Sequence, residues 1–316
     1  MTADTTRDVL GIADLGASGL SAVLDLAEQD VPAVLAGRGA ALVFEHPSAR
    51  TRNACEMAVV QLGGHPVTIR GEEVGFDRRE TVEDVARTLA CYHGLIGARV
   101  ARHSTLERMV SALRRAGRDV PVVNLLSDLE HPTQAVADLL TMRQELGSIA
   151  GRTVAYIGDA NNVCRSLVLG CAMAGARSVV ASPSGYGLTA ADVEHVAALG
   201  GEVRIAGDPA SAAEGADVLY TDVWVSMGEQ GETEKRRAFG GFTIDERLLE
   251  LAAPDAILLH CLPAHRGEEV SAGALEGPRS RVWRQAANRM HAARALFAYA
   301  LGVRPSAAQV PGGAAT

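Results

Sequence analysis

Short apolar runs alternate with amphipathic stretches along nearly the whole chain, and the rhythm repeats in both halves as strand, helix, strand. In the first half the runs at 40–44, 66–69, 94–98 and 121–124 predict strands, separated by helical patterns at 17–29, 52–62, 80–92 and 104–115. In the second half TVAYIGD, SVVASPSG, EVRIAGD, DVLYTDVW and AILLHCLP read as strands that end in polar loops. The stretch HPTQAVADLLTMRQELG, His131 to Gly147, keeps helix periodicity and links the halves. This pattern predicts an α/β fold of two domains, each a parallel sheet flanked by helices, joined by interdomain helices. The expected boundaries are 1–140 and 141–288, with a last helix over 289–303 packing back on the first half and a frayed Gly- and Ala-rich tail at 304–316.

Composition narrows the class. A chain of 316 residues with 47% hydrophobic content suffices for two cores of ordinary size. With 30 basic against 38 acidic residues, net −8, it carries no footprint for nucleic acid or an anionic membrane. The basic clusters Arg114–Arg115 and Lys235–Arg237 read as solvated faces. No apolar run approaches the roughly 18 residues of a transmembrane helix, and the acidic start MTADTTRD lacks the features of a signal peptide, so a soluble cytoplasmic protein is expected. Five widely spaced cysteines, 55, 91, 164, 171 and 261, form neither a disulfide framework nor a CxxC metal site.

Candidate chemistry gathers at the predicted strand ends, where open α/β sheets bind ligands. In FEHPSARTRNA, Ser48, Arg50, Thr51 and Arg52 stand where an apolar run stops and a helix begins. Backbone N–H groups and the helix dipole there would meet a phosphate, with hydroxyls and guanidiniums converging on it. Arg99 ends GLIGARV on the same sheet edge; elsewhere such an arginine is a surface residue. HPTQ places His131 and Gln134 at a helix start, either as a cap or as groups that polarise a carbonyl oxygen. DVWVSMG, Asp222 to Gly228, is either a surface loop or a carboxylate and hydroxyl suited to an amino-acid substrate, with later glycines allowing closure. HCLPAHRGEE sets Cys261 after a strand, a buried inert thiol or a reactive one. Arg289 in NRMHAARAL says nothing alone.

Together, SxRTR, HPTQ, DVWVSMG and HCLP resemble the transcarbamoylase family, and within it the ornithine branch, in the same order and at similar spacings from about residue 8 to about 302. The resemblance implies two α/β domains, a homotrimer with sites between subunits, and no metal or other cofactor. It assigns the phosphate of carbamoyl phosphate to Ser48, Ala49 through its backbone, Arg50 and Thr51. The carbamoyl group falls to Arg99, His131, Gln134, Cys261, Leu262 and Arg289. Asn162, Asp222, Ser226 and Met227 would hold L-ornithine, with Asp222 and Cys261 placing its δ-amine. Three positions depart from the family pattern. Ala49 replaces a threonine, Gly75 stands where a glutamine is expected, and Arg165 stands near the amino-acid pocket in place of asparagine or histidine. Arg165 leaves open a carbamoyltransferase with another amine acceptor. A nucleotide-dependent enzyme or ligand-binding protein on the same scaffold lacks GxGxxG and GxxxxGK[ST] in this chain.

Overall fold

The computed structural model describes residues 6–225 and 231–306. Strands β1 (Gly39–Phe44), β2 (His65–Arg70), β3 (His93–Arg99) and β4 (Val122–Leu126) form one parallel sheet in the order β2-β1-β3-β4. Strands β5 (Thr153–Ile157), β6 (Arg177–Ala181), β7 (Val203–Ala206), β8 (Val218–Thr221) and β9 (Ile257–His260) form a second parallel sheet, β7-β6-β5-β8-β9. Each sheet reverses its winding once, between β1 and β3 and between β5 and β8. Open parallel sheets bind ligands outside the strand ends at such points. Those ends carry Ser48 and Arg99 in the first sheet and Asn161 and Asp222 in the second.

The apolar runs lack a polar face because both faces of each sheet are covered. Along β1, Ala40, Leu42 and Phe44 face the core shared with the long helices, while Ala41 and Val43 face a separate layer with Val85 and Met109. In the second sheet, Tyr156 and Tyr220 point to the shared core, stacked 5.5 Å apart, and Ala155 and Leu219 point away from it.

Two boundaries differ from the sequence expectation in ways that matter. The helix expected from residue 52 begins at Ala49, because Ser48 caps it by accepting the Thr51 N–H. The helix carrying Arg289 runs Val282–Ala300, starting before position 289. It packs on Pro132–Leu146, Ala49–Gln61 and Gly16–Glu28, which brings a late arginine to the early phosphate motif. Pro132–Leu146 is buried from Pro132 through Met142, so its polar residues must find partners inside. The expected tail lies outside the described residues from position 307. No described helix is long and apolar enough to cross a membrane.

Candidate active site

The first turn of Ala49–Gln61 sets Arg50 and Thr51 on different faces. Thr51 is buried and accepts a hydrogen bond from Arg289 Nη2 at 3.1 Å through Oγ1, which leaves its own hydroxyl proton to donate. Arg50 lines a cavity of about 360 Å³ together with Asn53, Gln134, His260, Cys261 and Arg289. Arg52 is not part of it. Two positions beyond Arg50 on a helix, it points elsewhere and pairs with Glu56 at 3.7 Å along the exposed face. The further guanidiniums come instead from Arg99, at the end of β3, and from Arg289.

These arginines feel one another. Burial, then the charges of Arg289 and Arg50, pulls Arg99 down to about 10. Burial also lowers Arg289. Both Nε atoms are buried without a hydrogen-bond partner among the described residues. Concentrated, incompletely satisfied positive charge of this kind fits a dianion.

His131 is buried before Pro132, and its backbone N–H donates to Ser166 Oγ at 2.8 Å. Ser166 Oγ donates in turn to the buried Glu130 at 3.1 Å. Burial, then the Arg289 and Arg99 charges, holds the imidazole well below its usual range, so it is neutral at pH 7. Thr133 Oγ1 lies 3.2 Å from its Nδ1. Gln134, one turn on, accepts from Arg289 Nη1.

On the second sheet Asp222 is buried just past β8, where Val223 N donates to Oδ1 and Asn161 Nδ2 to Oδ2, each at 2.8 Å. Cys261 Sγ donates to Oδ1, also at 2.8 Å. Burial and then the Asp222 charge push this thiol well above its ordinary range, so the reactive-thiolate alternative has no support in its surroundings. His260 Nδ1 accepts from Leu262 N at 2.9 Å, so its ring proton sits on Nε2, 3.0 Å from the Glu269 carboxylate. Asp222, His260 and Cys261 have donor atoms within 4.8 Å of one another, a spacing open to a metal ion, but both His260 nitrogens are engaged. Leu262 takes a left-handed backbone, φ 60°, rare for a non-glycine residue.

Of the expected site residues, Arg50, Gln134, Cys261 and Arg289 line the cavity; Thr51 and Asp222 stand behind it, bonded to Arg289 and Cys261, and Arg99 and His131 are close enough to feel the Arg289 charge, while Ser48, Ala49 and Leu262 are not among its lining. Asn162 starts a helix, and its side-chain amide donates to Ser127 O at 2.6 Å. Ser226 and Met227 lie outside the described residues. Of the basic clusters read as solvated faces, Arg114, Arg115 and Arg237 are exposed, with Arg114 pairing with Asp8 at 2.7 Å, whereas Lys235 is buried, 2.7 Å from Asp159. Sequence reasoning missed Asn161, whose Oδ1 caps the Asn162–Met173 helix while its Nδ2 holds Asp222. The doubled asparagine before an apolar helix was the available sign.

The family pattern described as aspartate/ornithine carbamoyltransferase, carbamoyl-P binding domain, matches residues 7–144, and its Asp/Orn binding domain matches residues 150–300. An ornithine carbamoyltransferase of Acidothermus cellulolyticus is 48% identical over 93% of this chain and 96% of its own length. The chain belongs to the aspartate/ornithine carbamoyltransferase family. It is a carbamoyltransferase. A Parafrankia ornithine carbamoyltransferase is 47% identical over 94% of this chain and 96% of its own. Among solved structures, ornithine carbamoyltransferase from Pyrococcus furiosus superposes with a TM-score of 0.88 at 38% identity, covering 94% of this chain and 98% of that one. The Thermus thermophilus enzyme gives 0.84 at 43% identity, covering 93% and 98%. In this carbamoyltransferase two of the three departures from the family pattern, Gly75 and Arg165, have local explanations, and nothing in the structure explains Ala49. Gly75 ends a short helix at φ 54°, a left-handed position. Arg165 lies 3.0 Å from Asp192.

Proposed function

We propose that this carbamoyltransferase transfers the carbamoyl group of carbamoyl phosphate to the δ-amine of L-ornithine, giving L-citrulline and phosphate. The observation that carries the reading is one cavity that brings together unlike groups. Arg50 and Arg289, whose charges also reach the buried Arg99, suit a phosphate, and Cys261, bonded to the Asp222 carboxylate, suits an amine. Residues 1–140 with the last helix would form the carbamoyl-phosphate half and residues 141–288 the ornithine half.

Chemically, the neutral amine attacks the carbonyl carbon, a C–N bond forms, and charge develops on the carbonyl oxygen. Arg99, Thr51 and His131 are the donors for that oxyanion. A neutral His131 can donate from Nε2 when Thr133 donates to Nδ1, and its depressed basicity fits that role. The C–O bond to phosphate then breaks, and the departing phosphate accepts the proton lost by the amine. Asp222 and Cys261 orient the amine, and Asn162, Ser226 and Met227 hold the rest of the amino acid. Among acceptors, the Arg165–Asp192 pair favours plain ornithine over an amine carrying an extra carboxylate.

A cytoplasmic homotrimer completes the proposal, and the exposed Met57 and Val60 on the helix that lines the cavity offer apolar surface for an assembly to cover. Light scattering tests the assembly. Citrulline formation from carbamoyl phosphate and L-ornithine, with putrescine, aspartate and N-acetylornithine as parallel acceptors, tests the chemistry. Turnover with ornithine alone is expected, and robust turnover with another acceptor in its place would overturn the assignment.

A further inference from the structure

Asp138 is fully buried and does not line the cavity, yet it holds two residues that do. Gln134 Nε2 and Gln285 Nε2 each donate to its Oδ1 at 2.7 Å, and Tyr220 OH donates to Oδ2 at 3.1 Å. An ionised carboxylate only accepts, so each glutamine must turn its nitrogen inward and its carbonyl outward. The Gln134 carbonyl then receives Arg289 Nη1, and Arg289 Nη2 reaches Thr51. The Gln285 carbonyl receives the His260 N–H at 2.8 Å, and His260 Nδ1 receives Leu262 N, spanning the turn that carries Cys261.

We propose that Asp138 is a positioning residue whose carboxylate fixes, through two opposed glutamine amides, both the arginine pocket and the Cys261 turn. Among the described residues Asp138 has no ion-pair partner, although the Arg289 charge reaches it, and a buried carboxylate so placed is costly where an apolar side chain would pack. Its place behind both halves of the site supplies a reason for keeping it, since an orientation error of about 1 Å at a reacting group can cost about 10²-fold in rate. An amide is the least disruptive replacement. Asparagine can still accept from both glutamines and donate to Tyr220, whereas alanine leaves both amides without a reference.

The inference rests on the proposed substrate in its kinetic part only, so the test has an arm that needs no turnover. Asp138→Asn, Asp138→Ala and Gln285→Leu are prepared in the full chain and checked for cooperative melting. Carbamoyl phosphate binding is read by calorimetry, and alkylation of Cys261 by iodoacetamide is followed on its own peptide by mass spectrometry. Asp138→Ala is expected to lower kcat about 10²-fold. It should also weaken carbamoyl phosphate binding about tenfold and speed Cys261 alkylation about tenfold. Asp138→Asn should stay within about threefold of the parent in all three. Gln285→Leu, which cuts one arm, should speed Cys261 alkylation about tenfold.

Wild-type binding and alkylation in a folded Asp138→Ala protein would overturn the proposal, as would an Asn variant no better than Ala. Should Asp138→Ala not fold, Gln285→Leu decides: unchanged alkylation there removes the turn arm and with it the proposal. A parent that fails to bind carbamoyl phosphate defeats the substrate reading instead, while the alkylation rates still decide the coupling.

Discussion

Cys261 gives its thiol hydrogen to Asp222 across 2.8 Å, which makes the cysteine a donor beside an anion rather than a nucleophile. The same carboxylate helps push the thiol well above its usual range, so no useful thiolate fraction forms at pH 7 to 8. Cys261→Ser keeps a donor at this place and is expected to retain partial turnover. Cys261→Ala should lose more, since a hydrogen bond to a charged group is worth about 1.5 to 3 kcal/mol. Steady-state kinetics separates this from an acyl-thiol route, in which both variants would be dead.

Arg99 carries the heaviest expectation. Its charge is already disfavoured by burial and by two neighbouring arginines, so an anion there relieves more than it costs. Arg99→Ala is expected to lower kcat by about 10² to 10³, the range for removing one oxyanion donor. Carbamoyl phosphate at 100 times its Kd should raise the parent's unfolding free energy by about 2.7 kcal/mol. The shift should shrink in the variant, and a melting series with and without ligand reads both.

Burial lifts Asp138 from 3.8 to about 6, against the pull of its three hydrogen bonds. A carboxyl raised on folding stabilises the protein when protonated. That contribution is fully present below pH 3.8 and is lost as pH rises through about 6. At 1.36 kcal/mol per pKa unit the loss is on the order of 3 kcal/mol by pH 8. Asp138→Asn does not titrate, so its stability relative to the parent should climb by about that amount between pH 4 and pH 8. Urea unfolding at the two pH values measures the difference, and a flat difference would contradict the charge-burial argument.

What the sequence made legible follows from what is local. Apolar runs buried on both faces announced parallel strands, and the β1-to-helix junction announced a phosphate pocket. Arg99 was placed on the same sheet edge, where the pairing of β3 with β1 sets it beside Phe44, whereas Arg289 said nothing alone because it reaches Thr51 only through the packing of Val282–Ala300 on Ala49–Gln61. Arg52 was misread because adjacency in sequence is not adjacency on a helix. Asp138 and Gln134 share a helix face at a spacing of four, yet the partners Gln285 and Tyr220 come from elements with no sequence sign of their role.

Gly75 illustrates a departure set by backbone. At φ 54° it closes Gly71–Val74 in a conformation that costs other residues about 1 to 2 kcal/mol, and an added Cβ would stand 3.0 Å from that of Arg79. Restoring the family's glutamine by Gly75→Gln is therefore expected to lower stability by about 1 kcal/mol. Chemical denaturation tests this, and a stabilised variant would show that the loop is free to change its turn.

Arg165 is where acceptor choice could have been altered, and its surroundings argue that it is not. The side chain lies 3.0 Å from Asp192, which also accepts from Thr189 to cap the Ala190–Ala198 helix. Against burial, the Thr189 hydrogen bonds and the Arg165 charge lower Asp192, so the arginine already has an ion-pair partner. Arg165→His, which restores a residue usual in the family, is expected to leave the ornithine KM within about threefold and the order of acceptors unchanged. Its effect should fall on stability, within about 1 kcal/mol, since the pair is partly exposed. If Arg165→His instead switches turnover from another amine to ornithine, the arginine faces the substrate during the reaction and the acceptor must be reassigned.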